Sequence, residues 1–561
     1  MGIMGWTLVV GINAAIIGWG LWKSRETTRA VDWMLASRGL PWWMVGLSMF
    51  ATAVDSGDYV AVAGGSYKLG LNNITVWFLG ITIGWFLVAW TVFLPMYRSG
   101  MFTNAEYLER RFGPSARVIS VIVQIIYRTN VLGNVAYSLF LTFSVLTDWG
   151  DATWGLVAAI AVGAAIYTAT GGLKSVALTD SAQSVVMLVA AIVMWWVVYD
   201  AVGGFDGAQR AMHEAGVSQE VRDAMAHVGK PRGETPAGVV IVGWILTLTA
   251  YCIVNHSQSM RMLAARSEWD VKMAAVAATV VTSLVMWFNI TLGILGRGAH
   301  PALDVPDEIF PRLVSEFLVP TSGALAGIVV AGLLAGGIST FDSIGSALAA
   351  VFTRDLYARF LVRDADDRHY LWVSRIATAA VIAISFVFVP FLKMGMLSFY
   401  LEMIGITVMP LMTVYLVGVF TSAHRSSGLW GLVAGCGVGL ARFVSNASHF
   451  DLPLWWTGNW YGYFWSIGST GLAMLVTTLI LGPANREELA GLVVGAGGRG
   501  VSSSDPDREG RWLEETSREL VDLPRHPFDD PDSVVSIWRR PELYAAVVLV
   551  VLAWLVFGVL W

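Results

Sequence analysis

Long apolar runs separated by short polar gaps recur along almost the whole chain, and most are long enough to cross about 30 Å of hydrocarbon. The pattern predicts an all-α polytopic membrane protein with about fourteen spans, at 6–22, 42–71, 76–97, 118–146, 154–170, 181–199, 239–254, 274–295, 325–351, 373–391, 399–421, 429–443, 464–481 and 543–561. Two runs are irregular. Run 42–71 is longer than one crossing needs and carries Gly57, Gly64, Gly65 and Gly70, with Asp55 and Asp58 beside the first of them. It reads as a broken helix whose unwound carbonyls are free to bind an ion or solute, the alternative being a continuous helix whose glycines serve close packing. Segment 331–357, AGLLAGGISTFDSIGSALAAVFTRDLY, sets Ser339, Thr340, Asp342, Ser343 and Ser346 in otherwise apolar sequence. A carboxylate at mid-span costs about 2.5 to 3.5 kcal/mol, so it is kept where it faces a cavity, a partner or an ion. Hard oxygen donors suit a small hard cation, and this helix reads as the cation-binding wall of a transporter. Any single hydroxyl has a plainer alternative, a bond back to a carbonyl one turn earlier.

Charge orients the spans. Lys23, Arg25, Arg29 and Arg38 follow the first run, which has no cleavage motif after it and reads as an anchor. Taking alternate gaps onward, the same side collects Arg98, Arg110, Arg111, Lys174, Arg261, Arg266, Lys272, Arg354, Arg359, Arg363, Arg368 and Arg425. The positive-inside rule puts that side in the cytoplasm, the N-terminus outside, and the protein in the plasma (cell inner) membrane. The long gap 200–236 is then external, with Arg210, Arg222, Lys230 and Arg232 among acidic residues. The polar stretch 486–540 is cytoplasmic. Its GAGGRG at 495–500 formally fits a dinucleotide fingerprint, but no strand–turn–helix unit surrounds it, and 512–521 reads as a short surface helix.

Composition narrows the classes. With 14% charged and 56% hydrophobic residues and a mean hydropathy of +0.62, the chain is not a string of soluble domains. A net charge of −5 without a basic patch speaks against nucleic acid. Cys252 and Cys436 both lie in apolar runs and imply neither a disulfide framework nor a metal site. No HExxH motif or paired catalytic residues stand at a membrane face, so the chain reads as a non-enzyme.

Four segments, SGDYVAVAGGSY from Ser56, NAEYLERRFG from Asn104, YTATGGLKSVALTDSAQ from Tyr167 and NHSQSMRMLAARS from Asn255, stand in one order with the central ISTFDS and TRDLY. In these the chain resembles the sodium/solute symporter family of sodium/glucose, sodium/proline and sodium/sialic acid cotransporters. The resemblance implies a LeuT-like inverted-repeat core of ten helices at 41–421, an extra N-terminal helix and loop at 1–40, additional helices at 422–485, the tail at 486–540 and a final span at 541–561. It also implies Na+ as coupling ion, a small-molecule solute, alternating access in a lipid bilayer and a monomeric functional unit. By the same resemblance a first sodium site falls on Ala51, Val54, Gly336, Ser339 and Thr340, with Ser339 and Thr340 as its metal-ligating hydroxyls. An alignment anchored on Asp55 shifts the carbonyls to Ala53 and Ser56. A second cation site falls on Asp180, Ser339, Asp342 and Ser343. Asp342 departs from the family, which more often has a hydroxyl there; a second carboxylate either strengthens a cation site or makes it proton-sensitive, so H+ stays a candidate coupling ion. Read alone, Asp180 beside Thr179 is equally a helix cap.

Solute candidates are Asp58 and Tyr59 after the break, Arg128 in the fourth span, and Tyr251, Asn255 and His256 at the end of the seventh. A guanidinium in a span is rarely kept without a partner, and its planar fork matches a carboxylate. The sialic acid branch binds its solute's carboxylate with an arginine in the corresponding helix, which points to an organic anion. Pairing of Arg128 with Asp55 or Asp58 is the competing reading, a packed His256 the plainer one for that residue, and no counterpart of a sugar-binding lysine is visible at 274–295. A sodium-coupled symporter for a small polar solute is thus expected, with a sugar or polyol symporter and a transporter-like sensor behind it.

Overall fold

With no water in hydrocarbon to satisfy free N–H and C=O groups, a chain this apolar must close its backbone hydrogen bonds within helices. The computed structural model describes residues 1–24, 30–231, 233–392, 395–447, 452–494, 512–513 and 536–561. Among these residues there is no β-strand, only one bridge between Leu40 and Ala265. Arg25, Arg29, Arg232, the glycine-rich 495–500 and most of the expected surface helix 512–521 lie outside the described residues.

In order, the elements that matter here are α1 (Ile3–Ser24), α2 (Trp42–Ala53), α3 (Ser56–Leu69), α4 (Leu71–Arg98), α5 (Asn104–Phe112), α6 (Pro114–Thr147), α7 (Thr153–Val202), α8 (Ala237–Val254), α9 (His256–Leu263), α10 (Glu268–Ala299), α11 (Gly323–Leu361), α12 (Asp367–Leu392), α13 (Met396–Phe420) and α14 (Pro541–Val559). Thirteen described helices are long and apolar enough to cross a membrane, and the broken pair α2–α3 supplies a further crossing. A second break, at Asn255, separates α8 from α9. The first broken helix and the four crossings after it, the two halves of α7 counting separately, make one unit of five, and the second broken helix with α10 to α13 makes another. Five is odd, so the second unit enters from the opposite face and the two are inverted.

The expected gap at 171–180 is not a loop. Gly172 alone, at φ 66° and ψ 171°, turns the chain inside α7, a conformation that glycine adopts at little cost. Helix resumes at once, so Asp180 lies within a helix and caps none. Helix α11 is the core, buried along nearly its whole length and packed on α1, α6, α7 and α12. Against α1 the backbones touch: a Cβ on Gly327 would meet the Gly5 carbonyl oxygen at 2.7 Å.

Where α11 leaves the apolar region, a buried ion network joins it to α5 and α6. Arg117 pairs with Glu109 and Asp355, Arg359 with Glu109 at 2.8 Å, and Arg110 with Glu106 at 2.6 Å. Arg354 and Arg359, expected in a loop, are therefore on the helical end of α11, buried among carboxylates. Trp512 also docks here, donating to Asp367 at 2.9 Å and stacking on Tyr370. Burial pushes the Glu109 carboxyl up, but Arg117 and Arg359 outweigh it and hold the group below its ordinary range. A group so depressed contributes stability at neutral pH that is lost as pH falls through its folded-state value. The melting temperature of the wild type should therefore exceed that of Glu109→Gln at about pH 7, and the gap should narrow toward about pH 4; a gap independent of pH would contradict this. At the far end of the chain, Glu542 pairs with Lys272 at 3.0 Å while the Leu560 carbonyl accepts from Val228 N at 2.7 Å. Thus α14 runs from the face of the α9–α10 turn to that of the 203–236 segment.

Candidate ion and solute site

The α2–α3 break is made by two carboxylates. Val54 and Asp55 are extended, and Asp55 caps α3: its Oδ1 accepts from Asp58 N at 3.0 Å while Asp58 Oδ2 accepts from Asp55 N at 3.0 Å. The box satisfies the N–H groups of the new helix. Val54 N still donates to the Phe50 carbonyl at 2.9 Å, but Asp55 N turns to Asp58 Oδ2, which leaves the Ala51 carbonyl for a side chain or a cation. Ser339 Oγ lies 3.1 Å from the Ala51 carbonyl and 2.6 Å from Asp180 Oδ1. One hydroxyl proton cannot serve both, and the shorter, charge-assisted bond to Asp180 claims it. The lone pairs of Ser339 and the Ala51 carbonyl are then two acceptors side by side, an arrangement that suits a small cation. Thr340 Oγ1 is buried with no hydrogen-bond partner among the described residues, and Gly336 lies against the break, where a Cβ would stand 3.4 Å from the Asp55 backbone, at ordinary contact. Ala51, Gly336 and Ser339 are thus brought to the break that Val54 and Asp55 form.

Arg261 corrects the sequence reading most. Expected in a cytoplasmic loop, it lies on α9, fully buried beside Asp180. Its Nη2 donates to Asp180 Oδ2 at 2.9 Å and to Ser343 Oγ, its Nε to Ser48 Oγ at 2.6 Å and its Nη1 to the Ser257 carbonyl at 2.7 Å. Ser48 in turn donates to Asp180 at 2.5 Å. Of the four residues expected to hold a second cation, Asp180, Ser339 and Ser343 are therefore joined, with a guanidinium between two of them. Asp342 is equally buried, and its Oδ1 has no hydrogen-bond partner among the described residues.

Beside the break lies a cleft lined by Asp55, Asp58, Arg128 and Tyr251, with Trp77, Trp244 and Tyr400 as its aromatic walls. Arg128 is 2% exposed, forms no ion pair with either aspartate, and has no hydrogen-bond partner at Nε or Nη2 among the described residues. Its guanidinium carbon sits 5.6 Å from the Tyr127 ring and 5.5 Å from the Tyr251 ring. The Tyr251 hydroxyl donates to the Thr52 carbonyl at 3.3 Å and accepts from Gln258 at 3.1 Å, and Gln258 also donates to the Met49 carbonyl at 3.0 Å, which ties the two broken helices together. Three expected solute residues do not line the cleft. Tyr59 donates to the Met187 carbonyl at 3.0 Å, Asn255 caps α9 by accepting from Ser257 N, and His256 is buried with neither ring nitrogen bonded among the described residues. Sequence reasoning missed Ser48, Thr52, Gln258, Trp77, Trp244 and Tyr400, whose hydroxyls, amide and rings carry no signal in apolar runs that distinguishes a cleft wall from ordinary packing.

Comparison with known proteins bears on the whole arrangement. A family model described as "Sodium:solute symporter family" matches residues 33–435. Sodium/glucose cotransporter 4 of Danio rerio is 27% identical over 479 residues, covering 78% of this chain and 71% of that protein. Sodium/myo-inositol cotransporter 2 of Rattus norvegicus is 28% identical over 471 residues, covering 76% and 68%. Among solved structures, a Na+-coupled sialic acid symporter in a substrate-bound outward-open state superposes with a TM-score of 0.73 at 19% identity, over 86% of this chain and 99% of that one. Mhp1, a nucleobase-cation-symport-1 family transporter, follows at 0.50 and 12% identity, over 82% and 97%. At these identities the two structures speak to fold.

Proposed function

The chain belongs to the sodium:solute symporter family, transporters rather than enzymes, and on that premise we propose that it imports a small organic carboxylate by alternating access, driven by a sodium ion at the α2–α3 break. The free Nε and Nη2 of Arg128 in the cleft carry this reading, because those two nitrogens form one edge of the guanidinium and can donate two parallel bonds side-on to a carboxylate. Sodium would be held by the carbonyls of Ala51 and Val54 with Gly336, Ser339 and Thr340. A second coupling cation, Na+ or H+, would have to enter where Arg261 already pairs with Asp180, so its entry requires that pair to part. The charge pattern of the loops favours an N-terminus outside and the 486–540 tail inside a cell's inner membrane.

A sugar or polyol is the second reading, favoured by the glucose and myo-inositol relatives and by the Trp77, Trp244 and Tyr400 walls. A solute panel in thermal melts, with sodium or choline as the cation, separates the two: stabilisation by carboxylates supports the first reading and stabilisation by glucose or myo-inositol alone sinks it. On the ion side, Ser339→Ala and Thr340→Ala should each raise the half-saturating sodium concentration about tenfold, since each loses one ligand oxygen worth about 1.4 kcal/mol. Gly336→Ala should do less, because only its carbonyl is used. Unchanged sodium dependence in both hydroxyl variants would show the site to be elsewhere.

A further inference from the structure

We propose that the solute is a zwitterion, a carboxylate that also carries a positively charged nitrogen. The inference rests on the carboxylate reading above and adds the other end of the molecule. The cleft that presents the free edge of Arg128 also presents Asp58 and Asp55, and among the described residues neither carboxyl has a lysine, arginine or histidine within ion-pair distance. Asp58 spends one oxygen on the Asp55 N–H and only Asp55 Oδ1 is needed to cap α3, so acceptor capacity remains on both carboxyls. Asp58 is the less buried of the two and is open to the cleft.

Charge counting sharpens the choice. The cleft holds two carboxyl groups against one guanidinium, and a sodium ion at the adjoining break brings the cations to two. A plain carboxylate would take the Arg128 edge but leave the Asp58 carboxyl facing the cleft without a donor, in a site walled by Trp77, Trp244 and Tyr400 where an unsatisfied polar group is costly. A zwitterion brings its own cation. Its carboxylate takes the Arg128 edge, its ammonium donates to Asp58, and the ring faces attract the same positive group.

The test uses the purified full chain and sodium-dependent melting curves. The probes are α-amino acids and N-methylated betaines, each matched with the same carboxylate lacking the nitrogen and with the methyl ester lacking the carboxylate, alongside glucose and myo-inositol. At least one zwitterion should stabilise the protein in sodium and bind about tenfold or more tighter than both of its matched analogues. Asp58→Asn keeps an acceptor for the Asp55 N–H, so the cap survives; it should bring the zwitterion and its nitrogen-free analogue to within about twofold, whereas a merely structural role for Asp58 would weaken both alike. If nitrogen-free carboxylates bind as well as their zwitterions, or Asp58→Asn leaves the ratio unchanged, the zwitterion proposal falls and the carboxylate reading stands. If only glucose or myo-inositol stabilises, both fall. A panel in which no zwitterion stabilises the protein also overturns the proposal.

Discussion

Arg128→Lys is expected to weaken solute binding about thirtyfold to a hundredfold, and Arg128→Gln to abolish sodium-driven accumulation. The lysine keeps the positive charge but is a point donor on a flexible stem, so one of two parallel charge-assisted bonds and its geometry are lost, about 2 to 3 kcal/mol. The glutamine removes the charge as well and leaves the neighbouring carboxyls of Asp55 and Asp58 lining the cleft without the guanidinium. Solute titrations of the two variants in saturating sodium check this. If Arg128→Lys binds the solute as tightly as the wild type, the arginine balances the aspartates from a distance and does not touch the solute.

Arg261→Ala should be the most destabilising single change, by about 3 to 5 kcal/mol, because it strands Asp180 as an unpaired charge in a fully buried setting. The same truncation removes donors from Ser48, Ser343 and the Ser257 carbonyl, so α2, α9 and α11 lose a shared anchor beside the ion ligands. Asp180→Asn should destabilise too and should raise the half-saturating sodium concentration, since the asparagine no longer draws the Ser339 proton as strongly. The double variant Asp180→Asn with Arg261→Gln removes both charges together and should recover part of the loss, an interaction that a double-mutant cycle reads directly. Strictly additive losses, or an Arg261→Ala protein that melts like the wild type, would show that the pair does not carry this weight.

Much of the architecture was legible because hydropathy is a local property and hydrocarbon leaves the backbone few options. Each run long enough to cross had to be a helix, so the spans follow from residue order alone. The break at Val54 and Asp55 was legible for a similar reason, since carboxylates and glycines in mid-span mark a place where the helix stops. Boundaries were less so. Polar residues between 171 and 180 look like a loop, yet one glycine at positive φ turns the chain and their side chains find partners on neighbouring helices.

By itself, then, the sequence determined that the chain is a helical membrane protein with a broken second span, a polar turn at Ser339 to Ser343 and an arginine in mid-span. Only the tertiary structure decided what these groups meet. Asp180, Arg261, Ser48 and Ser343 come from α7, α9, α2 and α11, and no local pattern links residues that far apart. An arginine marks a loop when it is counted alone, because the cost of burying it is assigned to the residue; beside Asp180 that cost is offset by a partner eighty-one positions away, and the same residue belongs in the core. Arg128 shows the converse. Its carboxylate neighbours are close in sequence to the break, but packing holds them across a cleft, out of ion-pair reach, and that separation is what leaves its edge free for a solute.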